Sequence, residues 1–211
     1  MATFYIFEIK GSPESDYIEA IRFLANPGEK HRAHVTIRGP YKQRIDIAPI
    51  NKRFVDGALV VGDPGNFFDH DQNTVFFRCE SADLVRIWKK RDFPFNPHLT
   101  LYDGPSHDFA VRLFEVVSRY AYTLRFCADQ LVPLVSYKGQ ANMDLRLSFN
   151  SELVSAVLKR RLKADDVAAL PETSRLSMIA RLCQRLSQMS LPWGNDADRP
   201  HALAKASRRT Q

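Results

Sequence analysis

Cysteine is scarce. Cys79, Cys127 and Cys183 are odd in number, widely spaced, and none belongs to a Cys-x-x-Cys pair. A disulfide framework is excluded as the organiser of the chain, and free thiols in a reducing compartment are expected. Long apolar runs are also missing. None approaches the roughly 20 residues that a membrane-spanning helix needs, so no membrane partner is expected. The opening stretch, Met1 to Lys10, has no basic segment leading into an apolar core and a small-residue cleavage site. No secretory signal is expected from it, and the cytoplasm is the expected compartment. Nor is there a run of βαβ units each carrying a Gly-rich turn.

What is present suits a packed core. Hydrophobic residues make up 45% of the 211-residue chain and charged residues 26%, with 14 Phe among them. These values are those of an ordinary globular protein, one large domain or one domain with an appendage. The net charge of +6 is unevenly placed. Residues 1–150 hold 19 Lys and Arg against 18 Asp and Glu, whereas residues 151–211 hold 11 against 6. The excess basicity belongs to the end of the chain, where it serves either a solvated helix face or contact with an anionic partner such as nucleic acid.

Residues 3–9 are rich in β-branched and aromatic types and predict a strand. Pro13 to Ala25 places Tyr17, Ile18, Ile21, Phe23 and Leu24 at helical spacing, with Ser12 as N-cap and Asn26-Pro-Gly28 as the stop. Strands are predicted at His34–Tyr41, Phe54–Val61, Thr74–Cys79 and His98–Tyr102, with a turn over Gly62-Asp-Pro-Gly65. A short helix opens at Ser81, and an amphipathic one runs from Asp108 to Tyr120. Two further strands are expected near Thr123–Tyr137 and Met143–Phe149. Beyond Asn150 the period turns helical, over Ser151–Lys163 and Thr173–Met189. The fold class is α+β, with a boundary near residue 150 between a domain at 1–150 and a basic helical extension at 151–211 whose end reads as loop-like.

Two portions carry the same triplet on a strand after a tight break: His34-Val-Thr36 and His98-Leu-Thr100. With 6 His and 7 Thr in 211 residues, about 0.2 His-x-Thr triplets are expected by chance. Side chains alternate along a strand, so His34, Thr36 and Arg38 are expected on one face, and His98, Thr100 and Tyr102 on another. Val35, Ile37, Leu99 and Leu101 would point the opposite way, into a core.

This pattern fits phosphodiester cleavage. The attacking oxygen needs a base and the departing one an acid, and two imidazoles titrating near neutrality supply both. The Thr36 and Thr100 hydroxyls suit the nonbridging oxygens. Arg38 would add a fork of charged donors, and Tyr102 or Tyr5 a surface on which a base or ribose stacks.

The paired motifs, 64 residues apart, resemble the two-histidine phosphoesterase superfamily, which includes cyclic phosphodiesterases and RNA 2′,5′-ligase-like proteins. The resemblance covers residues 1 to about 150. It implies a bilobal fold, two pseudo-symmetric lobes of antiparallel sheet and helix around a central cleft, working without a metal. By motif match, His34 and His98 carry over as the acid–base pair, and Thr36 and Thr100 as phosphate ligands. The implied substrate is a cyclic phosphate or a 2′,5′-linked nucleotide or RNA. The second motif continues into Tyr102-Asp103, where ligase-like members often carry a basic residue.

Other readings remain open at this level. His31 and His34 form an HxxH, but no acidic or Cys partner stands at a useful spacing, so neither a metal nor another cofactor is expected. A binding module is the alternative to an enzyme: the same cleft would hold an RNA end or nucleotide without turnover, with the basic tail lending affinity.

Overall fold

A computed structural model of the chain describes residues 2–29, 31–54, 57–68, 72–88, 95–127, 130–136, 155–159, 161 and 163–190. The β-branched and aromatic runs form strands β1 (Ala2–Glu8), β2 (His34–Tyr41), β3 (Ala58–Phe67), β4 (Thr74–Glu80), β5 (His98–Asp103), β6 (Thr123–Cys127) and β7 (Val132–Ser136). All join one antiparallel sheet in the order β6-β3-β4-β5-β2-β1-β7.

The helices are α1 (Pro13–Ala25), α2 (Ala48–Asn51), α3 (Ala82–Ile87), α4 (His107–Val117), α5 (Ala164–Ala168) and α6 (Glu172–Met189), with one further helical turn at 155–158. Serine caps start three of them. Ser12 and Ser15 form a reciprocal capping box on α1, while the Ser81 and Ser106 hydroxyls accept from Asp83 N and Phe109 N at the heads of α3 and α4. Among the described residues, no helix is long and apolar enough to cross a membrane.

One face of the sheet builds the core. Phe7, Val35, Leu59, Val61, Phe77 and Leu99 are buried there, in one cluster with Ile18, Ile21 and Leu24 of α1 and Leu113 and Val117 of α4. The cluster also takes in Leu176, Ile179, Leu182, Cys183 and Leu186 of α6. Each fully buried aliphatic side chain of this kind stabilises the fold by about 1.5–3 kcal/mol. Arg175 adds two ties, lying 4.7 Å from the Phe109 ring centroid and donating to the Leu24 and Ala25 carbonyls at the end of α1. The helix beyond the expected boundary at residue 150 is therefore built into the same core as the sheet.

Several elements differ from expectation for local reasons. The turn-rich Gly62-Asp-Pro-Gly65 lies inside β3, where Asp63 bulges out of the ladder with φ 43°. Pro64 is tolerated because β6 pairs with β3 only as far as Gly62, so no ladder hydrogen bond is asked of it on that side. The stretch predicted as one strand from Thr123 to Tyr137 is two strands at opposite edges. Met143–Phe149 lies outside the described residues. The short helix α2 had no apolar period to announce it. Gly39 carries β2 through at φ +113°, where a Cβ would stand 2.8 Å from the Thr3 carbonyl oxygen.

The sheet is curled. Seven strands laid flat would separate β6 from β7 by about 29 Å. Only four residues join Cys127 to Val132, a reach of at most about 18 Å. A cavity of about 460 Å³ lined by Glu8 of β1, Cys127 of β6 and Val132 of β7 brings the two edges together. Ladder alternation puts Glu8 and Cys127 on the face opposite the helices, so that face is the concave one.

Candidate active site

The two motif strands are neighbours. β2 and β5 run antiparallel and meet at one ladder pair, Val35 opposite Leu99. Both side chains are buried on the helix side. His34, Thr36, His98 and Thr100 therefore share the concave face, with His34 on the Thr100 side and Thr36 on the His98 side. The histidines stand on a diagonal of this square, a spacing of about 7–8 Å between Cα atoms for such a pair. All four residues are half-buried, reachable yet held.

Each histidine is anchored in the same way. His34 Nδ1 lies 2.7 Å from the Arg32 carbonyl oxygen, and His98 Nδ1 lies 2.8 Å from that of Asn96. A carbonyl oxygen only accepts, so Nδ1 carries the proton in both rings and Nε2 is left as the basic nitrogen of the neutral ring. The surrounding backbone repeats as well. Ile9 N donates to the Ala33 carbonyl and Cys79 N to the Pro97 carbonyl, in each case the residue just before the motif histidine. Phe7 faces Val35 as Phe77 faces Leu99.

The repeat extends to an irregularity. Between Ile6 opposite Thr36 and Tyr5 opposite Arg38, the register skips Ile37. Between Phe76 opposite Thr100 and Val75 opposite Tyr102, it skips Leu101. Each motif strand thus bulges at the residue after its threonine, and a bulge reverses the facing of the residues beyond it.

The structure places three expected site residues elsewhere. Arg38 turns to the side of Tyr5, where its Nε donates to the Ile87 carbonyl at the end of α3. Tyr102 is 6% exposed, packs its ring against Phe109 and accepts at its hydroxyl from Ser106 N. Tyr5 is 1% exposed and locks its hydroxyl to both the N–H and the carbonyl of Ile45. None of the three stands beside the histidines on the concave face. Strict alternation, assumed for the sequence, fails where one residue is inserted.

The environments of the two rings differ. Behind His34 lies a buried ion pair of α1, Glu19 with Arg22. Glu19 accepts from Ala33 N, and Arg22 donates to the carbonyls of His31 and Thr100. Arg22 thereby bridges the loop before the first motif to the strand of the second, across the seam where β2 and β5 share one ladder pair. Desolvation pushes the His34 pKa down to about 4, and the charge of Arg22 and the nearby His31 act in the same direction. His98 instead packs against a pair of aromatic rings, with Phe76 at 4.9 Å and Phe67 edge-on at 5.2 Å between centroids. The Phe76 ring fits because residue 65 is glycine; a Cβ there would lie 2.5 Å from the ring.

Sequence reasoning missed these supports. Glu19 and Arg22 were legible as charges within the apolar stripe of α1, but that observation names no partner. Among the described residues, no group of three or more His, Cys, Asp or Glu side chains is arranged to hold a metal ion. No family model matches the chain, and no curated protein does.

Proposed function

We propose that the protein is a metal-independent phosphodiesterase of the two-histidine type, with β2 and β5 as the paired motif strands of a bilobal core. The observation that carries this reading is the meeting of both His-x-Thr triplets on one concave face, each imidazole anchored through Nδ1 so that Nε2 is the working nitrogen. The expected substrate is a cyclic phosphate or a 2′,5′-linked nucleotide or RNA.

The chemistry follows from the arrangement. His34, neutral near pH 7, takes the proton from the attacking water or ribose hydroxyl at Nε2. His98, protonated at Nε2, delivers its proton to the departing oxygen on the other side of phosphorus. Thr36 and Thr100 donate to the nonbridging oxygens between them, where charge is held through the transition state. As the anionic diester enters, it favours the charged imidazole and raises the His34 pKa from its low resting value, which strengthens that ring as a base.

The test is turnover in EDTA of 2′,3′-cyclic nucleotides and of 2′,5′- and 3′,5′-linked dinucleotides, beside the His34→Ala/His98→Ala variant. Product from the wild type alone is expected. Equal product from the folded variant would sink the reading. Ligand binding without product from any substrate would favour a binding module instead.

A further inference from the structure

The neighbours of the two histidines on their outer sides carry opposite charges. Glu8 of β1 is the ladder partner of His34, and Arg78 of β4 is the ladder partner of His98. Directly opposed residues of antiparallel strands place their Cβ atoms about 4.5–5.5 Å apart on one face, so both groups border the site. The correspondence that sets Phe7 against Phe77 sets Glu8 against Arg78. A site whose four central residues are alike in pairs is thus made directional by its flanks.

The two flanks also differ in surroundings. Arg78 is exposed, and it makes no hydrogen bond or ion pair among the described residues. A guanidinium standing on the site face next to His98 presents its whole fork of donors to whatever lies there. Glu8 is half-buried and engaged at one oxygen by Lys10, 3.2 Å away. Beyond it opens the cavity of about 460 Å³, whose lining adds Lys10, Arg32 and Gln130. Its volume falls within the range of small-ligand sites, and its mixture of donors and acceptors suits a nucleoside with its ring edges and hydroxyls.

We propose that Arg78 is a specificity-determining residue that receives a second anionic group of the substrate on the His98 side, while the cavity beside Glu8 takes a nucleoside arm on the His34 side. This rests on the phosphodiesterase reading of the histidines. It narrows the substrate class to nucleotides carrying a further phosphate beyond the scissile one, as an oligonucleotide end does, and it fixes which way such a substrate lies across the two motifs.

Adenosine 2′,3′-cyclic phosphate with and without a 5′-phosphate, compared by kcat/KM in EDTA, reads this out. The wild type is expected to favour the 5′-phosphorylated form by about fivefold, the scale of an exposed charge pair. Arg78→Gln should bring that ratio to within about twofold of unity through KM, Arg78→Lys should retain part of it, and Glu8→Gln should leave it in place. No preference in the wild type, or an unchanged ratio in Arg78→Gln, overturns the assignment. Binding of both compounds to the His34→Ala protein gives the same ratio without turnover. If the wild type hydrolyses neither compound, the catalytic reading fails by itself, while the binding ratio with and without Arg78 still decides the role of the guanidinium.

Discussion

The segment β1-α1-β2 and the segment β4-α3-β5 solve one problem with different materials. Each runs strand, helix, motif strand; each anchors its histidine to the carbonyl two residues back; each bulges after its threonine. Behind the first histidine is a buried ion pair that organises three backbone groups. Beside the second is a wall of phenylalanine. The shared parts are those that set the direction of Nε2 and the placement of the hydroxyl. The parts free to differ are those that only hold the ring still. Geometry at the motif is thus more constrained than the means of enforcing it.

Removing the supports separates the two solutions. The largest stability effect is expected from Arg22→Met, which leaves the 6%-exposed Glu19 carboxylate without its partner. About 3–5 kcal/mol of unfolding free energy should be lost in urea titrations. Arg22→Met/Glu19→Leu should recover a large part of it, and a double variant as weak as the single one would mean the pair is not the brace. Beside the second segment, Gly65→Ala in β3 drives a methyl into the Phe76 ring of β4 and should cost about 1–3 kcal/mol. Its kcat should fall further than the kcat of a control substitution of equal stability cost in α6, because the ring it displaces holds His98. Equal losses would reduce the aromatic wall to mere packing.

Smaller effects test the bulges. Arg38→Gln and Tyr102→Phe alter groups that the register turns away from the histidines, so kcat/KM should change by less than about threefold, and Tyr102→Phe should lose about 0.5–1.5 kcal/mol of stability with its hydrogen bond. A hundredfold fall in kcat/KM for either would return that residue to the site. A separate effect concerns pH. The folded-state pKa of His34 lies below its unfolded value, so the unfolded chain binds the proton more readily. Stability is fully present above about pH 6.5 and is lost as pH falls toward about 4. His34→Gln should flatten that part of the stability profile; an unchanged slope would place the loss elsewhere.

The sequence was a good guide where one local rule acted alone. His34–Tyr41 has the bounds read from the sequence, and Ser12 and Ser81 mark helix starts as capping chemistry requires. It misled where two rules compete. Gly62-Asp-Pro-Gly65 has turn composition, yet cross-strand pairing with β4 draws it into β3. Arg38 and Tyr102 sit at the right spacing for the site face, yet the extra residues Ile37 and Leu101 turn them away. Register is a property of two strands, and neither strand alone contains it. The same holds for the charges of α1, whose partners His31, Ala33 and Thr100 are 9 to 78 residues distant. The amphipathic period of α6 was plain, but its period does not say that its leucines complete the core against α1 and α4.

The central claim is that the two imidazoles act as one acid–base unit, and a double-mutant cycle on turnover tests it most directly. His34→Ala and His98→Ala should each lower kcat on the favoured substrate by about 100- to 10,000-fold. The double variant should be little worse than the poorer single one, because a proton relay missing either end is already broken. If the two losses multiply, or if either single variant keeps near-normal turnover while folded, the histidines do not work as a pair and the account is wrong.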